Sequence, residues 1–153
     1  MKKVLIVEGK HDKLFFESLF KKLSINVEVK KAGNNAKIPR LIESRYFKRE
    51  FNKIFVFIDS DDSTGKRIIE KIRNKISDFF IAEKDLEGFI SKDKECLSET
   101  LNLRLKKECV CKRELYENLG RVLINEEYKK LGENFNPNID KNFLSFLEKL
   151  RDP

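Results

Sequence analysis

The sequence predicts an α/β protein with a mostly parallel sheet flanked by helices on both faces, followed by a helical C-terminal part. Two short apolar runs, Lys3 to Val7 and Ile54 to Ile58, are rich in β-branched and aromatic residues and show no alternation with polar residues. Such runs are typical of strands that are buried on both faces, as in parallel sheets. A stretch with helical spacing of its apolar residues follows each run. The alternation of the two patterns predicts doubly wound α/β topology.

The first ninety residues are predicted to follow the order β-α-β-α-β-α-β. Asp12 stands where a helix N-cap belongs, and Gly9 is suited to the turn before it. A second acidic loop, Lys84 to Ile90, comes directly after the last predicted strand. We expect strands at residues 3–7, 26–29, 54–58 and 79–82, and helices at residues 12–23, 38–47 and from about 65 to 76.

The chain from residue 92 onward has a different pattern, in which only helical spacing recurs. Leucines and aromatic residues predict helices at about 97–105, 115–128 and 143–150, with a loop at 134–138. We therefore divide the chain into an α/β core, residues 1–91, and a helical extension, residues 92–153, that packs on the core. The two parts together are small enough to form one compact domain.

Composition favours a soluble, cytoplasmic protein. Of the 153 residues, 40% are hydrophobic and 39% are charged. No apolar run approaches the roughly 20 residues that a membrane span needs, and the apolar part of the N-terminus is too short for a signal peptide. The three cysteines are too few for a disulfide framework.

The net charge of +7 is concentrated in one segment. Residues 30–53 contain eight Lys or Arg and two Glu, which gives +6 and leaves +1 for the rest of the chain. A basic segment near a cluster of carboxylates favours an anionic polymer, DNA or RNA, as partner. A solvated helix face is the alternative. The residues predicted to contact nucleic acid are Lys10, Lys37, Arg40, Arg45, Lys48, Arg49 and Lys66.

Acidic residues follow the first and third predicted strands. Glu8 comes after the first, and Asp59 and Asp61 come after the third. If these strands are neighbours in a parallel sheet, their carboxyl ends lie about 5 Å apart, at the edge where α/β proteins bind ligands. Carboxylate oxygens are the ligands that Mg²⁺ prefers, and a cation there would serve phosphoryl or phosphodiester chemistry. We expect Mg²⁺ or Mn²⁺ at this edge.

The segments KVLIVEGKHD and, some fifty residues later, KIFVFIDSDD resemble the Toprim domain of topoisomerases, bacterial primases and OLD-family nucleases. The resemblance covers about residues 1–90 and leaves the helical extension outside. It implies a Toprim-like (Rossmann-like) fold and Mg²⁺-dependent cleavage or transfer of nucleic-acid phosphodiester bonds. It also implies that Glu8 is a general acid/base or metal ligand and that Asp59 and Asp61 are metal ligands. Gly9 would let the backbone approach a phosphate, and Asp12 would cap the helix or support the ligands.

The resemblance has one departure and one extension. The family often has a glycine three residues after the second aspartate, where this chain has Thr64, with Gly65 one residue later. The loop is therefore expected to be one residue longer. In the second acidic loop, Asp85 and Glu87 resemble the residues that OLD-like members use near a second metal; a solvated loop is the alternative.

Missing elements narrow the predicted function to a small stand-alone Toprim nuclease. The sequence has no GxxxxGK[ST] motif for an OLD-type ATPase. Tyr46, Tyr116 and Tyr128 lie in helical stripes and are expected in the core rather than as a topoisomerase nucleophile. His11 is expected to be an exposed first-turn residue. Three alternatives stay open: a non-catalytic module that binds nucleic acid or a partner, a haloacid-dehalogenase-like phosphatase, and an EF-hand-like loop. The C-terminal helices could bind a protein partner or form a homo-oligomer.

Overall fold

A four-stranded parallel sheet forms the centre of the protein. The computed structural model describes residues 2–59 and 63–153. Strands β1 (Lys3–Val7), β2 (Glu28–Lys31), β3 (Lys53–Asp59) and β4 (Asp78–Ala82) lie in the order β2-β1-β3-β4. Each neighbouring pair is parallel. The predicted α/β class is confirmed. The first and third strands are neighbours, which meets the condition on which the expected meeting of their carboxylates depends.

Helices connect the strands and make up the C-terminal part. No helix in residues 2–59 and 63–153 is long and apolar enough to cross a membrane. Short 3₁₀ turns lie at Asn35–Lys37, Arg73–Lys75 and Pro137–Ile139. The α-helices are α1 (Lys10–Leu23), α2 (Ile38–Glu43), α3 (Arg45–Glu50), α4 (Ser63–Ile72), α5 (Leu86–Ile90), α6 (Lys94–Leu101), α7 (Lys112–Leu119), α8 (Asn125–Asn134) and α9 (Lys141–Arg151).

Two predicted helices are each divided in the structure. The helix expected at 38–47 is broken at Ser44, whose extended backbone (ψ 140°) ends α2 and whose Oγ accepts a hydrogen bond from the Phe47 N–H at 3.2 Å to cap α3. The helix expected at 115–128 ends at Gly120, which has a φ of 78°. Regular apolar spacing continued across both breaks, so spacing alone did not reveal them.

Apolar side chains cover both faces of the sheet. One face carries Leu5, Val7, Phe55 and Phe57, which pack with α1 and the C-terminal helices. The other face carries Val4, Ile6, Ile54, Val56 and Ile58, which pack with α2, α3 and α4. This alternation is what an unbroken apolar strand produces when both faces are covered.

The C-terminal helices pack directly on the first helix of the α/β part. Gly132 of α8 lies so near α1 that a Cβ in its place would be 2.3 Å from the backbone oxygen of Phe15. Buried residues of both parts belong to one apolar cluster, which includes Phe16 of α1, Leu131 of α8 and Phe143 of α9. This close packing brings the start of α8 to the carboxyl edge of the sheet. The boundary at residue 92 remains a prediction.

Candidate functional site

The candidate site lies where the strand order of the sheet reverses. The chain passes from β1 through α1 to β2 on one side, and then crosses to β3 and β4 on the other. Crevices at such switch points, outside the carboxyl ends of the strands, are the usual ligand sites of open α/β sheets. Because Ile6 of β1 is paired with Val56 of β3, Glu8 and Asp59 both leave the sheet at this edge.

A cleft of about 330 Å³ opens at this edge. Four parts of the chain line it: the end of β1 with the start of α1, the loop after β2, the end of β3, and the second acidic loop with the start of α7. Of the predicted carboxylates, Glu8, Asp12, Asp59, Asp85 and Glu87 are brought together here. The lining residues are Glu8, Gly9, Lys10, His11, Asp12, Gly33, Asp59, Asp85, Glu87 and Lys112.

Helix α1 begins two residues earlier than predicted, at Lys10, and this changes the role of Asp12. Gly9 is the N-cap residue, and Asp12 lies in the first turn. The Oδ2 of Asp12 accepts a hydrogen bond from the Gly9 N–H at 3.0 Å, so Asp12 satisfies a backbone donor at the helix start. The φ of Gly9 is −136°, a value open to any residue. The prediction that Asp12 is the N-cap residue is therefore wrong, although its carboxylate does cap the helix.

Asp59 ends β3, and Gly65 holds the following helix against it. A Cβ on Gly65 would lie 2.2 Å from the backbone oxygen of Asp59, so only glycine allows α4 to approach the strand end this closely. Helix α4 begins at Ser63, two residues before the predicted start near Gly65, so Gly65 lies inside the helix and not in a turn before it. Asp61, the second predicted aspartate, lies outside the described residues.

Burial and mutual repulsion favour the protonated forms of the central carboxyl groups. Burial raises the pKa of Asp12 to about 7, and the negative charges of Glu87 and Glu8 act in the same direction. Burial also raises the pKa of Asp59 above its usual range, with the charges of Asp12 and Glu8 as further causes. Carboxylates gathered in this way favour the binding of a cation, which would offset the repulsion between them.

Asp85 has two structural hydrogen-bonding roles. Its Oδ1 accepts the Gly88 N–H at 2.8 Å and so caps α5. Its two oxygens also accept the backbone N–H of Lys112, at 3.0 and 2.8 Å, which ties the start of α7 to the acidic loop. A Cβ on Gly88 would lie 2.2 Å from the backbone oxygen of Val110, so the two segments are in close contact. Asp85 therefore positions Lys112 at the cleft.

Glu87 is held by a tyrosine pair from the C-terminal helices. Glu87 is 5% exposed, and its Oε1 accepts a hydrogen bond from the Tyr128 hydroxyl at 2.8 Å. The hydroxyls of Tyr128 and Tyr116 are also 2.8 Å apart. Burial raises the pKa of Glu87, and the hydrogen bond from Tyr128 opposes that effect. Tyr128 is a buried core residue, as predicted, but its contact with the site was not expected. The same prediction is wrong for Tyr46, which is 66% exposed.

His11 and two lysines complete the lining. The His11 ring is half-buried and stacks on the ring of Tyr128 with a centroid distance of 4.1 Å, so the expectation of an exposed residue is wrong. Burial lowers the pKa of His11, and the charges of Lys112 and Lys10 lower it further. His11 is therefore neutral near pH 7, and Lys10 and Lys112 supply the positive charge of the cleft. Lys112 was not predicted from the sequence.

The other residues of the predicted nucleic-acid surface are exposed and do not line the cleft. The nearest connection runs through Gly33, which lines the cleft and where a Cβ would be 3.5 Å from Nζ of Lys37. The remaining members lie on α2, α3 and α4. Whether they contact nucleic acid stays a prediction. These residues are Arg40, Arg45, Lys48, Arg49 and Lys66.

The ligands available in the cleft are of the type that hard divalent cations prefer. Glu8, Asp59 and Glu87 offer carboxylate oxygens, which suit Mg²⁺ and Mn²⁺. Within residues 2–59 and 63–153, no three or more His, Cys, Asp or Glu side chains are grouped so that they could hold a metal ion. The chemistry of the ligands therefore fits the predicted cation, and the third predicted ligand, Asp61, belongs to the segment that is not described.

Comparisons with known proteins agree with this architecture. The chain is similar to the C-terminal region of the Burkholderia pseudomallei OLD protein, with a TM-score of 0.67 and 12% identity over 99% of this chain and 97% of the other. It is also similar to the C-terminal region of the Xanthomonas campestris pv. campestris OLD protein, with a TM-score of 0.58 and 15% identity over 98% and 94% of the two chains.

The likeness extends over the helical part, which the sequence resemblance had left outside. No curated protein matches the chain. A family model described as "Protein of unknown function (DUF3226)" matches residues 2–106. By that match, which spans more than half of its length, the chain belongs to the DUF3226 family.

Proposed function

We propose that the cleft binds Mg²⁺ or Mn²⁺ and that the protein cleaves or transfers phosphodiester bonds in nucleic acid, as a Toprim-type domain. The observation that carries this proposal is the convergence of Glu8, Asp59 and Glu87 on one cleft at the switch point of the sheet. Clustered carboxylates with little compensating charge destabilise a folded protein, so a purely structural role does not account for them.

The roles of the residues follow from their places. Glu8, Asp59 and Asp61 would hold the cation, and Glu87, which also lines the cleft, would extend the ligand set. When bound, such a cation neutralises phosphate charge and lowers the pKa of a coordinated water. Glu8 would exchange a proton with the attacking or leaving oxygen. Lys10 and Lys112 would attract and orient the phosphate.

The fold likeness supports the same class of function. The printed names of the similar structures identify them as C-terminal regions of OLD proteins, and the sequence resemblance to Toprim domains extends to OLD-family nucleases. The shared fold includes the helical part, which in this chain brings Lys112 to the cleft and the Tyr128 hydroxyl to Glu87. We extend the proposal to DNA or RNA as substrate because Lys10 and Lys112 lie beside the carboxylates of the cleft and the segment at residues 30–53 carries a net charge of +6.

A cleavage assay with three isosteric variants tests this function. Supercoiled plasmid and a structured RNA would be incubated with Mn²⁺, with Mg²⁺ or with EDTA. The wild type is expected to nick or cut one of them only when metal is present, and Glu8→Gln and Asp59→Asn are expected to lose at least 100-fold in rate, as expected when a group acting in the transition state is removed. Glu17→Gln, on the exposed side of α1, is the matched control and should cut at the wild-type rate.

The same assay separates the alternatives. If the wild type binds plasmid or RNA but yields no cut product at any metal concentration, the result would favour a non-catalytic binding module. Metal-dependent release of phosphate from a generic monoester, with no cut product, would favour the phosphatase. Cutting by Asp59→Asn at the wild-type rate would show that the proposed site is wrong.

A further inference from the structure

The hydrogen bond between Tyr128 and Glu87 joins the helical part to the acidic cleft. The two residues are 41 positions apart in sequence, and the contact measures 2.8 Å between the phenol oxygen and Oε1. Tyr128 is completely buried and Glu87 is nearly so. In such surroundings a hydrogen bond to a charged group is strong and directional, because no water competes for it.

The direction of the hydrogen bonds follows from counting protons. When Glu87 is ionised, as a metal ligand is, its carboxylate can only accept, so the single hydroxyl proton of Tyr128 is directed to Glu87. The oxygen of Tyr128 must then accept the proton of the Tyr116 hydroxyl, 2.8 Å away. The result is a chain from Tyr116 to Tyr128 to Glu87, in which only Tyr128 touches the carboxylate. A phenol keeps its proton up to a pH of about 10, so the Tyr128 hydroxyl is a donor at neutral pH.

The packing of α8 on α1 fixes the Tyr128 ring. The ring stacks on His11 with an angle of 5° between the planes. Four residues along α8, Gly132 lies against the backbone of Phe15, which is itself four residues along α1 from His11. Residues four apart lie on the same face of a helix, so the two contacts belong to one interface between α1 and α8. This interface fixes the position of Tyr128. The donor to Glu87 is thus attached to rigid elements rather than to a loop.

We propose that Tyr128 is a positioning residue that fixes the carboxylate of Glu87 at the wall of the cleft for a divalent cation. The proposal rests on the proposed function and adds that the C-terminal helices complete the site. Partners that hydrogen-bond metal ligands orient them and raise their affinity for the ion, and their loss typically costs 10- to 100-fold in metal affinity or activity. Because the hydrogen bond from Tyr128 already restricts rotation of the Glu87 carboxylate, Glu87 loses less conformational freedom when the cation binds.

A purely structural explanation makes a different prediction. A buried phenol needs a hydrogen-bond partner, and Glu87 could merely provide one. In that case the loss of either hydroxyl would change the stability of the protein and leave its response to metal unaltered. The comparison of Tyr128→Phe with Tyr116→Phe separates the two explanations, because each variant removes one hydroxyl from the same chain and only the first removes the donor to Glu87.

The test uses the full chain and Mn²⁺ as the probe. The Mn²⁺ concentration that gives half of the maximal cleavage rate and the Mn²⁺-dependent rise in melting temperature would be measured for the wild type and both variants. Tyr128→Phe keeps the ring that stacks on His11, and we expect it to need at least tenfold more Mn²⁺ in both measurements, with the cleavage rate at saturating Mn²⁺ within about threefold of the wild type. Tyr116→Phe is expected to stay within about twofold of the wild type. In a Glu87→Ala background, Tyr128→Phe should cause no further change, since the two residues act as one unit.

The outcomes distinguish this inference from the function on which it rests. Equal Mn²⁺ requirements for Tyr128→Phe and the wild type would overturn the positioning role while leaving the proposed function intact. Equal losses in the two tyrosine variants, or a full effect of Tyr128→Phe without Glu87, would overturn it as well. If the wild type itself shows neither cleavage nor a change in melting temperature with Mn²⁺, the proposed function fails first and the positioning role fails with it.

Discussion

Replacement of Asp12 by Asn should stabilise the metal-free protein, and the gain should depend on pH. Burial raises the pKa of Asp12 to about 7, and the neighbouring carboxylates contribute to that rise. An acid whose pKa is raised by folding adds stability below its unfolded pKa near 4, and this stability is lost as the pH rises through the folded value. Asn carries no charge at any pH, and its amide oxygen can still accept the Gly9 N–H that Asp12 accepts at 3.0 Å.

The size of the effect follows from the pKa. Each unit by which folding raises the pKa corresponds to about 1.4 kcal/mol of stability. At pH values above 7, ionised Asp12 therefore destabilises the folded protein by at most about 4 kcal/mol. Relaxation and solvent reduce such values, and we expect Asp12→Asn to unfold with a free energy about 1–3 kcal/mol higher than the wild type at pH 8 in EDTA. At pH 4 the difference should fall to about half a kcal/mol or less, because Asp12 is then neutral in the folded protein and only about half ionised in the unfolded chain.

Urea unfolding followed by circular dichroism at pH 4, 6 and 8 measures this difference. Asp140→Asn is the matched control, because Asp140 also caps a helix, with its Oδ1 3.0 Å from the Phe143 N–H. Burial acts to raise the pKa of Asp140, but the hydrogen bonds from Phe143 and Lys92 outweigh it and the pKa is lowered. Its replacement should therefore destabilise the protein, and more so as the pH rises from 4. A pH-independent loss of stability in Asp12→Asn would show that Asp12 acts only as a helix cap and is not destabilised by its charge.

Three further predictions concern packing, access to the cleft and binding. Gly132→Ala should lower the free energy of unfolding in urea by about 1–3 kcal/mol, because the new Cβ would be 2.3 Å from a backbone oxygen of α1; an unchanged midpoint would contradict the close packing. Gly9→Ala should leave stability unchanged but slow cleavage, since its Cβ would project at the cleft with Asp12 Oδ2 at 3.7 Å as neighbour; wild-type cleavage would show that phosphate does not approach there. Reversal of three positive charges on α3 should weaken nucleic-acid binding and reduce the salt dependence of that binding, as measured by filter binding at about 50 to 200 mM salt. The effect should be larger than that of reversing three cations that line a separate groove of about 410 Å³. Equal effects would indicate that α3 is only a solvated face. The two sets are Arg45, Lys48 and Arg49, and Arg104, Lys106 and Lys107.

The part of the site that depends on local pattern could be predicted from the sequence. The apolar runs before Glu8 and Asp59 identify strands without reference to the rest of the chain. Once both strands are parallel and adjacent, the edge at which their carboxylates lie is determined by geometry. The exact start of α1 could not be fixed in this way. An aspartate gives the same sequence signal whether it is the N-cap residue or, like Asp12, lies in the first turn of the helix.

The contribution of the C-terminal helices could not be predicted, because it depends on packing between distant segments. Lys112 reaches the cleft through a contact with Asp85, 27 residues away, and the buried Tyr128 donates a hydrogen bond to Glu87, which lines the cleft. The apolar pattern correctly assigned Tyr128 to the core but does not reveal the partner of a buried hydroxyl. A weak signal was present in Gly88 and Gly132, because glycine inside a helix often marks a close approach of another backbone, as both do here.

The most direct test of the account is to locate Mn²⁺ bound to the protein. A crystal grown with Mn²⁺ and measured at the manganese absorption edge would give an anomalous peak at each bound ion. We predict a peak in the cleft, with carboxylate oxygens of Glu8 and Asp59 about 2.0–2.4 Å from the ion. A crystal at millimolar Mn²⁺ with the cleft free of any peak, or with peaks only elsewhere on the surface, would contradict the central claim that these carboxylates form a metal site.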